Sequence, residues 1–328
     1  MKLGIIGSGM IVKTLLPCIS KMEEYSLEAI ASKKESTIKN QELADKYNIK
    51  KVYGDYQELL NDKEVEVVYV ALPNHMHYAV SKEALEANKH VICEKPFMTN
   101  DSQLEELDKL AKEKGLFLLE AIATNFYPSI EKVKQSLALI GKVKIVEGNY
   151  GKYSSRYTAF REGKVLPTFD VNCSGGCLMD INIYNLHILT YLFGEGNHIE
   201  YHANVAKGVD TSGIILVDHD DFKAVLVGSK DSTGTNTLRI QAEDGTIEMS
   251  PSKDGTKQVK IILKDKTETF VDPEGTHYMY YEFKEFARII KENDKEKAEE
   301  LMDQSMKVMR QATIARHYAG VYYPDDNK

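Results

Sequence analysis

The sequence predicts an α/β chain of two domains: a doubly wound parallel sheet at the N-terminus, then an α+β domain built on a largely antiparallel sheet. Three observations carry that prediction. An apolar strand meets a glycine turn within the first ten residues, short apolar strands alternate with helical patterns as far as Ala123, and strand-turn-strand patterning takes over beyond Pro128. At 328 residues the chain is also longer than one core comfortably serves. The expected domains are 1–123 and 124–328.

In chain order, Lys2-Leu3-Gly4-Ile5-Ile6 runs into Gly7-Ser8-Gly9, and a helical pattern starts at Met10. Glycines one residue apart permit a tight turn and close backbone approach, and the helix N-terminus offers free N–H donors. That order suits the pyrophosphate of a dinucleotide. Val12 stands where a third glycine would complete the fingerprint, and a short glycine turn can also do no more than end a strand. Pro17 inside the first helical pattern predicts a kink or an end there. Further strands are read at 27–32, 52–53, 65–72, 90–94 and 116–122, and helices at 41–47, 77–87 and 102–114. The 65–72 run is almost wholly apolar, as a central buried strand is. Strands alternating with helices imply right-handed crossovers and a sheet covered on both faces.

In the second half, strands are read at 143–150, 199–206, 214–217, 222–228, 237–242, 246–249, 259–263 and 267–271. Polar turns such as Asp218-His219-Asp220-Asp221 and Glu243-Asp244-Gly245 separate them. Helical patterns at 278–291 and 295–319 close the chain, and Met302, Met306 and Met309 sit at helical spacing as core or interface fillers. The second face of such a sheet points to cover by a partner subunit, so a homodimer or higher homo-oligomer is expected.

Composition excludes several classes. A net charge of −8 argues against a general nucleic-acid or membrane surface. No apolar run is long enough to span a bilayer, and the N-terminus carries no secretory pattern. Cys18, Cys93, Cys173 and Cys177 are too few and too scattered for a disulfide framework, so a reducing cytoplasm is expected.

Open α/β sheets bind ligands at the carboxyl ends of their strands. The 65–72 strand runs out at Leu72-Pro73-Asn74-His75-Met76-His77, and the 90–94 strand at Cys93-Glu94-Lys95-Pro96. Both ends should lie beside the Gly7–Gly9 loop, bringing Asn74, His77 and Lys95 to one crevice. In the second half, Asp180, Tyr184 and His187 fall at i, i+4 and i+7, one stripe of a helix. Gly175 and Gly176 precede them and allow close backbone approach. Cys173 and Cys177 near His187 lack the spacing of a zinc motif, and no metal is expected. At the end of the second strand, about twenty positions past the motif, an acid would mark the ribose 2′-hydroxyl of NAD. Counting from position 12 gives Ser32, then Lys33 and Lys34. A hydroxyl with two cations suits a 2′-phosphate, so NADP is expected ahead of NAD. A solvated lysine pair is the alternative, and Glu35, the nearest acid, is read as opening the next helix.

Gly7-x-Gly9, Pro73-Asn74-x-x-His77 and Glu94-Lys95-Pro96, with Gly175-Gly176 ahead of Asp180, resemble the Gfo/Idh/MocA oxidoreductases across essentially the whole chain. The resemblance implies NAD(P)-dependent chemistry on sugars, inositols and related alcohols without a metal. It implies that Lys95 lies near the nicotinamide and the substrate hydroxyl and that Asp180 helps hold the substrate. Tyr184 replaces the His of many members and resembles the branch of dimeric dihydrodiol and D-xylose dehydrogenases, as does the segment 120–128. The chain departs at Asn125, where Arg is usual, and at Asn182, where Gly is usual.

Oxidising an alcohol by hydride transfer needs a base near its hydroxyl. A phenol near pKa 10 is a poor one unless a neighbouring ammonium favours phenolate, which Lys95 beside Tyr184 would supply. The expected catalytic residues are therefore Lys95, Tyr184 and Asp180. Gly7, Ser8, Gly9, Met10, Ile11, Ser32, Lys33, Lys34, Leu72, Asn74, His77, Glu94 and Lys95 are expected to bind the cofactor, and Asn125 and His187 to meet substrate. The alternatives are that Tyr184 is a packed aromatic, Asp180 a helix-start residue and His187 a satisfied histidine. The expected reaction interconverts an alcohol and a carbonyl on a sugar, polyol or diol-like substrate. One rival is an NAD-dependent inositol or aldose dehydrogenase, against which Tyr184 and the missing acid at Ser32 weigh. The other is a non-catalytic dinucleotide sensor, against which intact Lys95, Asp180 and Tyr184 weigh.

Overall fold

Near-continuous apolar runs become the middle of a six-stranded parallel sheet. In the computed structural model, which describes residues 1–252 and 257–327, its strands are β1 (Lys2–Ile6), β2 (Ser26–Ala31), β3 (Lys51–Tyr53), β4 (Val67–Val70), β5 (His90–Glu94) and β6 (Leu118–Ala121). Their order is β3-β2-β1-β4-β5-β6, every pair parallel, the doubly wound arrangement. The helices between them are α1 (Met10–Ile19), α2 (Thr37–Tyr47), α3 (Tyr56–Asn61), α4 (His77–Glu86) and α5 (Asp101–Lys114). β4 is buried along its whole length but shorter than the 65–72 run. α1 does not stop at Pro17, which is exposed; it closes at Ile19, with the Ser20 N–H bonding the Leu16 carbonyl.

The second sheet holds β7 (Val143–Gly151), β8 (His198–Ala206), β9 (Val209–Asp218), β10 (Lys223–Ser229), β11 (Thr237–Ala242), β12 (Gly245–Pro251), β13 (Lys257–Leu263) and β14 (Thr267–Val271). The order is β14-β13-β12-β11-β7-β10-β9-β8, antiparallel except for the β7–β10 pair. α6 (Pro128–Ser136) and α7 (Ser155–Arg161) flank β7 in the chain, and α8 (Ile183–Phe193) follows later. Alternation sorts each strand. Val146, Ile215 and Leu226 turn inward and are buried, while Ile145, Ile214 and Leu216 turn outward and are each more than 40% exposed.

Two closing helices are α9 (Tyr280–Glu292) and α10 (Lys295–Tyr318). Contacts group Met1–Ala123 with His277–Met306, and Thr124–Thr276 with Lys307–Lys328. The chain therefore leaves the first unit after Ala123 and returns to it at His277, a return that a single boundary between 1–123 and 124–328 does not contain.

Gly7 is the tightest point of the first unit. Its φ is +117°, its N–H bonds the Ala31 carbonyl at 2.8 Å, and a Cβ there would lie 2.3 Å from the Ala71 carbonyl oxygen. Only glycine fits where β1, β2 and β4 end together. Gly7→Ala should cost about 1–3 kcal/mol from strain alone, read as a lowered Tm; an unchanged melting curve would show that the turn relaxes freely.

Candidate active site

The turn after β1 leaves the start of α1 open. Gly9 precedes the helix without a side-chain cap, no acid lies in the first turn, and nothing comes within 4 Å of a Cβ built on Gly9. The N–H groups of a first turn have no partner inside the helix, so the pyrophosphate of a dinucleotide fits here. Ser8 and Ile11 are half-buried, and Met10 is exposed. At the end of β2, the Ser32 hydroxyl accepts a hydrogen bond from Asn40 Nδ2 at 2.6 Å, and Lys33 and Lys34 are exposed. Glu35 lies in a 3-10 turn, Lys34–Ser36, that leads into α2.

The ends of β4 and β5 are joined by His77. Its ring is completely buried, with Nδ1 2.9 Å from the Pro96 carbonyl oxygen and Nε2 2.9 Å from that of Leu72. Burial lowers the pKa of the ring, although the two carbonyls favour its charged form. Both nitrogens are spent on backbone, so His77 ties Leu72 to Pro96. Asn74 is half-buried in the short turn ahead of α4.

Glu94 and Lys95 diverge. Neighbours on a strand face opposite ways, and Lys95 is the only residue between Val91 and Asn100 that is not buried. Glu94 turns inward, where its carboxylate accepts the Tyr69 hydroxyl at 2.5 Å. It therefore offers a bound molecule its backbone, not its side chain. Two more carboxyls share this interior. Glu120 accepts the Phe97 N–H at 3.2 Å and the Ser305 hydroxyl at 2.6 Å, and Glu282 on α9 is 1% exposed. Burial pushes Glu94 up to about 7, against the opposing Lys95 charge, and pushes Glu282 well above the usual carboxylate range, with Glu94 and Glu120 adding to the rise. No motif announced this cluster, because its members come from three separated segments.

In the second unit, the residues expected on one helical stripe differ in exposure. Leu178–Asn182 forms a single π turn ahead of α8, a feature frequent at functional sites. Asp180 sits on that turn and Tyr184 on the first turn of α8; both are half-buried, whereas His187 is fully buried. His187 follows Tyr184 by one turn within α8, where Ile183 and every residue from Asn185 to Thr190 are buried, so the helix is enclosed on almost every side there. The Tyr184 ring meets Tyr150 of β7 edge-on at 5.4 Å, a partner 34 residues upstream that spacing could not reveal.

The glycine pair is required by close approach. Gly176 has φ +135°, and a Cβ there would lie 2.1 Å from Asp210 Oδ1. Asp210 is buried, and its other oxygen accepts the Leu178 N–H at 2.6 Å and the Tyr201 hydroxyl at 2.7 Å. Tyr323, near the C-terminus, donates its hydroxyl to the Gly175 carbonyl at 2.7 Å. Asn182 is wholly buried, bonding the Leu226 carbonyl at 3.1 Å over Gly228. That departure is thus a packing feature of the sheet. Asn125 is half-buried in the 3-10 turn Ala123–Phe126, its Oδ1 buried without a hydrogen-bond partner among the described residues. Asp180 itself is paired with a buried cation, Lys230, at 2.8 Å. The sequence offers no sign of that pair across 50 residues.

A doubly wound sheet with an open glycine turn, joined in one chain to a mostly antiparallel sheet, defines a nicotinamide-dependent class of oxidoreductase. Residues 1–121 match the Gfo/Idh/MocA oxidoreductase family model, NAD-binding Rossmann fold, and residues 130–248 match the Gfo/Idh/MocA C-terminal domain. The chain is 35% identical over 327 residues to the scyllo-inositol 2-dehydrogenase (NADP(+)) IolU of Bacillus subtilis, covering 99% of each. It is 29% identical over 346 residues to the trans-1,2-dihydrobenzene-1,2-diol dehydrogenase of Sus scrofa, covering 98% of each. KijD10, a 3-ketoreductase from Actinomadura kijaniata solved with NADP, shares the fold with a TM-score of 0.81 over 97% of each chain at 23% identity. This chain belongs to the Gfo/Idh/MocA family of oxidoreductases.

The raised Glu94 group has a consequence for stability. Between about pH 5 and 7 the folded state holds a proton that the unfolded chain has released, so this group makes the fold less stable as pH rises through that window. Glu94→Gln should shrink the fall in Tm between pH 5 and pH 8. An identical slope in both proteins would mean that Glu94 does not titrate there.

Proposed function

We propose that this oxidoreductase interconverts an alcohol and a carbonyl on a sugar, cyclic polyol or diol-like substrate, with NADP preferred to NAD. The observation that carries the reading is Lys95, the one side chain that leaves an otherwise buried strand end at the family's Glu-Lys-Pro motif. The named activities of the inositol and dihydrodiol dehydrogenases support the substrate class. Exposed Lys33 and Lys34 beside the held Ser32 hydroxyl support the cofactor preference.

When bound, the nicotinamide supplies the hydride acceptor or donor. Gly7, Ser8, Gly9, Met10 and Ile11 offer backbone to the pyrophosphate, Ser32, Lys33 and Lys34 take the 2′-phosphate, and Leu72 and Asn74 border the nicotinamide side. In the oxidising direction the carbinol carbon gives up a hydride and its hydroxyl gives up a proton. Tyr184 receives that proton, and Lys95 polarises the developing carbonyl. Asp180 orients substrate hydroxyls, and Asn125 is the second residue assigned to the substrate.

The outer face of the eight-stranded sheet suits a second copy of the chain. Leu216 pairs with Val225 and Ile214 with Val227 across β9 and β10, an apolar stripe on the outward side. Four free cysteines and, among the described residues, no helix long and apolar enough to cross a membrane support a place in the cytoplasm.

Absorbance at 340 nm with NADP⁺ or NADPH across neutral sugars, cyclic polyols and dihydrodiols tests the reading; tight cofactor binding without turnover of any of them contradicts it. Lys95→Met should lower kcat about 100-fold or more while NADP affinity stays within about threefold, and an unchanged kcat removes Lys95 from the reaction. Replacing Lys33 and Lys34 together by Ala should weaken NADP about tenfold or more and NAD little. Equal losses for both cofactors remove the 2′-phosphate argument.

A further inference from the structure

Among the described residues, Lys230, just past β10, is the only lysine in the group of largest fully buried side chains, at 1% exposure. Burying an ammonium is costly unless its N–H groups are all met. Here they are. Nζ donates to the Thr168 carbonyl at 2.8 Å and to the Thr168 hydroxyl, lies 3.5 Å from the Gly176 carbonyl, and pairs with Asp180 Oδ2 at 2.8 Å. Its charge also stands 4.4 Å over the Phe169 ring. The Thr168 hydroxyl in turn donates to Asp180 Oδ2 at 3.2 Å, closing a triangle of ammonium, hydroxyl and carboxylate. Asp180 is 37% exposed. The cation is thus enclosed by protein, and the carboxylate is the member of the pair that solvent reaches.

We propose that Lys230 is a positioning residue that aims the Asp180 carboxylate at the substrate and makes this face of the pocket an acceptor for hydroxyl groups. The consequence is selectivity. A carboxylate with its counter-ion behind it accepts hydrogen bonds from a neutral polyhydroxylated substrate and repels the sugar acid of the same skeleton, because Lys230 has no N–H left to greet an anion. The inference rests on the proposed role of Asp180 in holding substrate and assigns what fixes that role. Lys230 lies 62 residues beyond Thr168 and 54 beyond Gly176 in the sequence, so the arrangement is a product of the fold.

A double-mutant cycle tests it on the neutral sugar or polyol that the full-length protein turns over best. Lys230→Met should raise KM about tenfold or more with kcat changed less than about threefold and NADP affinity unchanged. In the Asp180→Asn background, the same change should add nothing further. Thr168→Val keeps the cation and removes only the bridging hydroxyl; it should raise KM by a smaller factor, and it stands in for Lys230→Met if that variant does not fold. The wild-type protein should also prefer the neutral sugar to its uronate by about tenfold or more in kcat/KM, a preference that Asp180→Asn should erode. An unaltered KM in both Lys230→Met and Thr168→Val, losses that simply add in the double variant, or equal use of sugar and uronate overturns the inference. If Asp180→Asn itself leaves KM alone, the proposed role of Asp180 fails, and the inference with it.

Discussion

Parallel strands that end side by side leave their last residues outside the ladder, and in the first unit one buried imidazole joins two such ends. His77 spans the carbonyls two residues beyond β4 and two residues beyond β5. With those points tied, the backbone that carries Lys95 is held from both sides. The strand's alternation then separates the two neighbours: Glu94 goes to Tyr69 in the interior, and Lys95 is left half-buried. A long, flexible side chain becomes a directed one because its root cannot move. The Glu94-Lys95-Pro96 motif is therefore intelligible as geometry, with one charge sunk and the other presented.

The second unit solves the same problem with the signs exchanged. Lys230 is sunk and Asp180 is presented. Gly176 and Asp210 bring the chain close enough for the π turn to start, and Tyr323 bonds the Gly175 carbonyl. A buried charge contributes little net stability by itself. Its value here is directional, since a fully satisfied buried network has few alternative arrangements.

Much of this was legible in the chain. Apolar runs gave the six parallel strands within a few residues, because a strand covered on both faces needs nothing but apolar positions. The glycine turn, the two strand ends and the separated Asp180 and Tyr184 all lay in short patterns. What stayed hidden depends on contacts distant in sequence. The first half of β9, Val209-Asp210-Thr211-Ser212-Gly213, lies outside the strand read at 214–217, yet it is buried strand: Asp210 is met by Tyr201, and Thr211 and Ser212 are met by Asp231. α3, at six residues, is too short to show a period, and its start is set by Asp55 capping the Gln57 N–H. His187 is in the core because α8 is buried on almost every side from Asn185 to Thr190, which a stripe counted from Asp180 and Tyr184 does not show.

The central claim is that hydrogen passes directly between a hydroxylated carbon of the substrate and the nicotinamide. A polyol deuterated at its carbinol carbons, incubated with the protein and NADP⁺, tests this by NMR of the cofactor. The account predicts deuterium at C4 of the nicotinamide, transferred to one face. Cofactor that binds tightly and is reduced without label, or never reduced by any hydroxylated substrate, would contradict it.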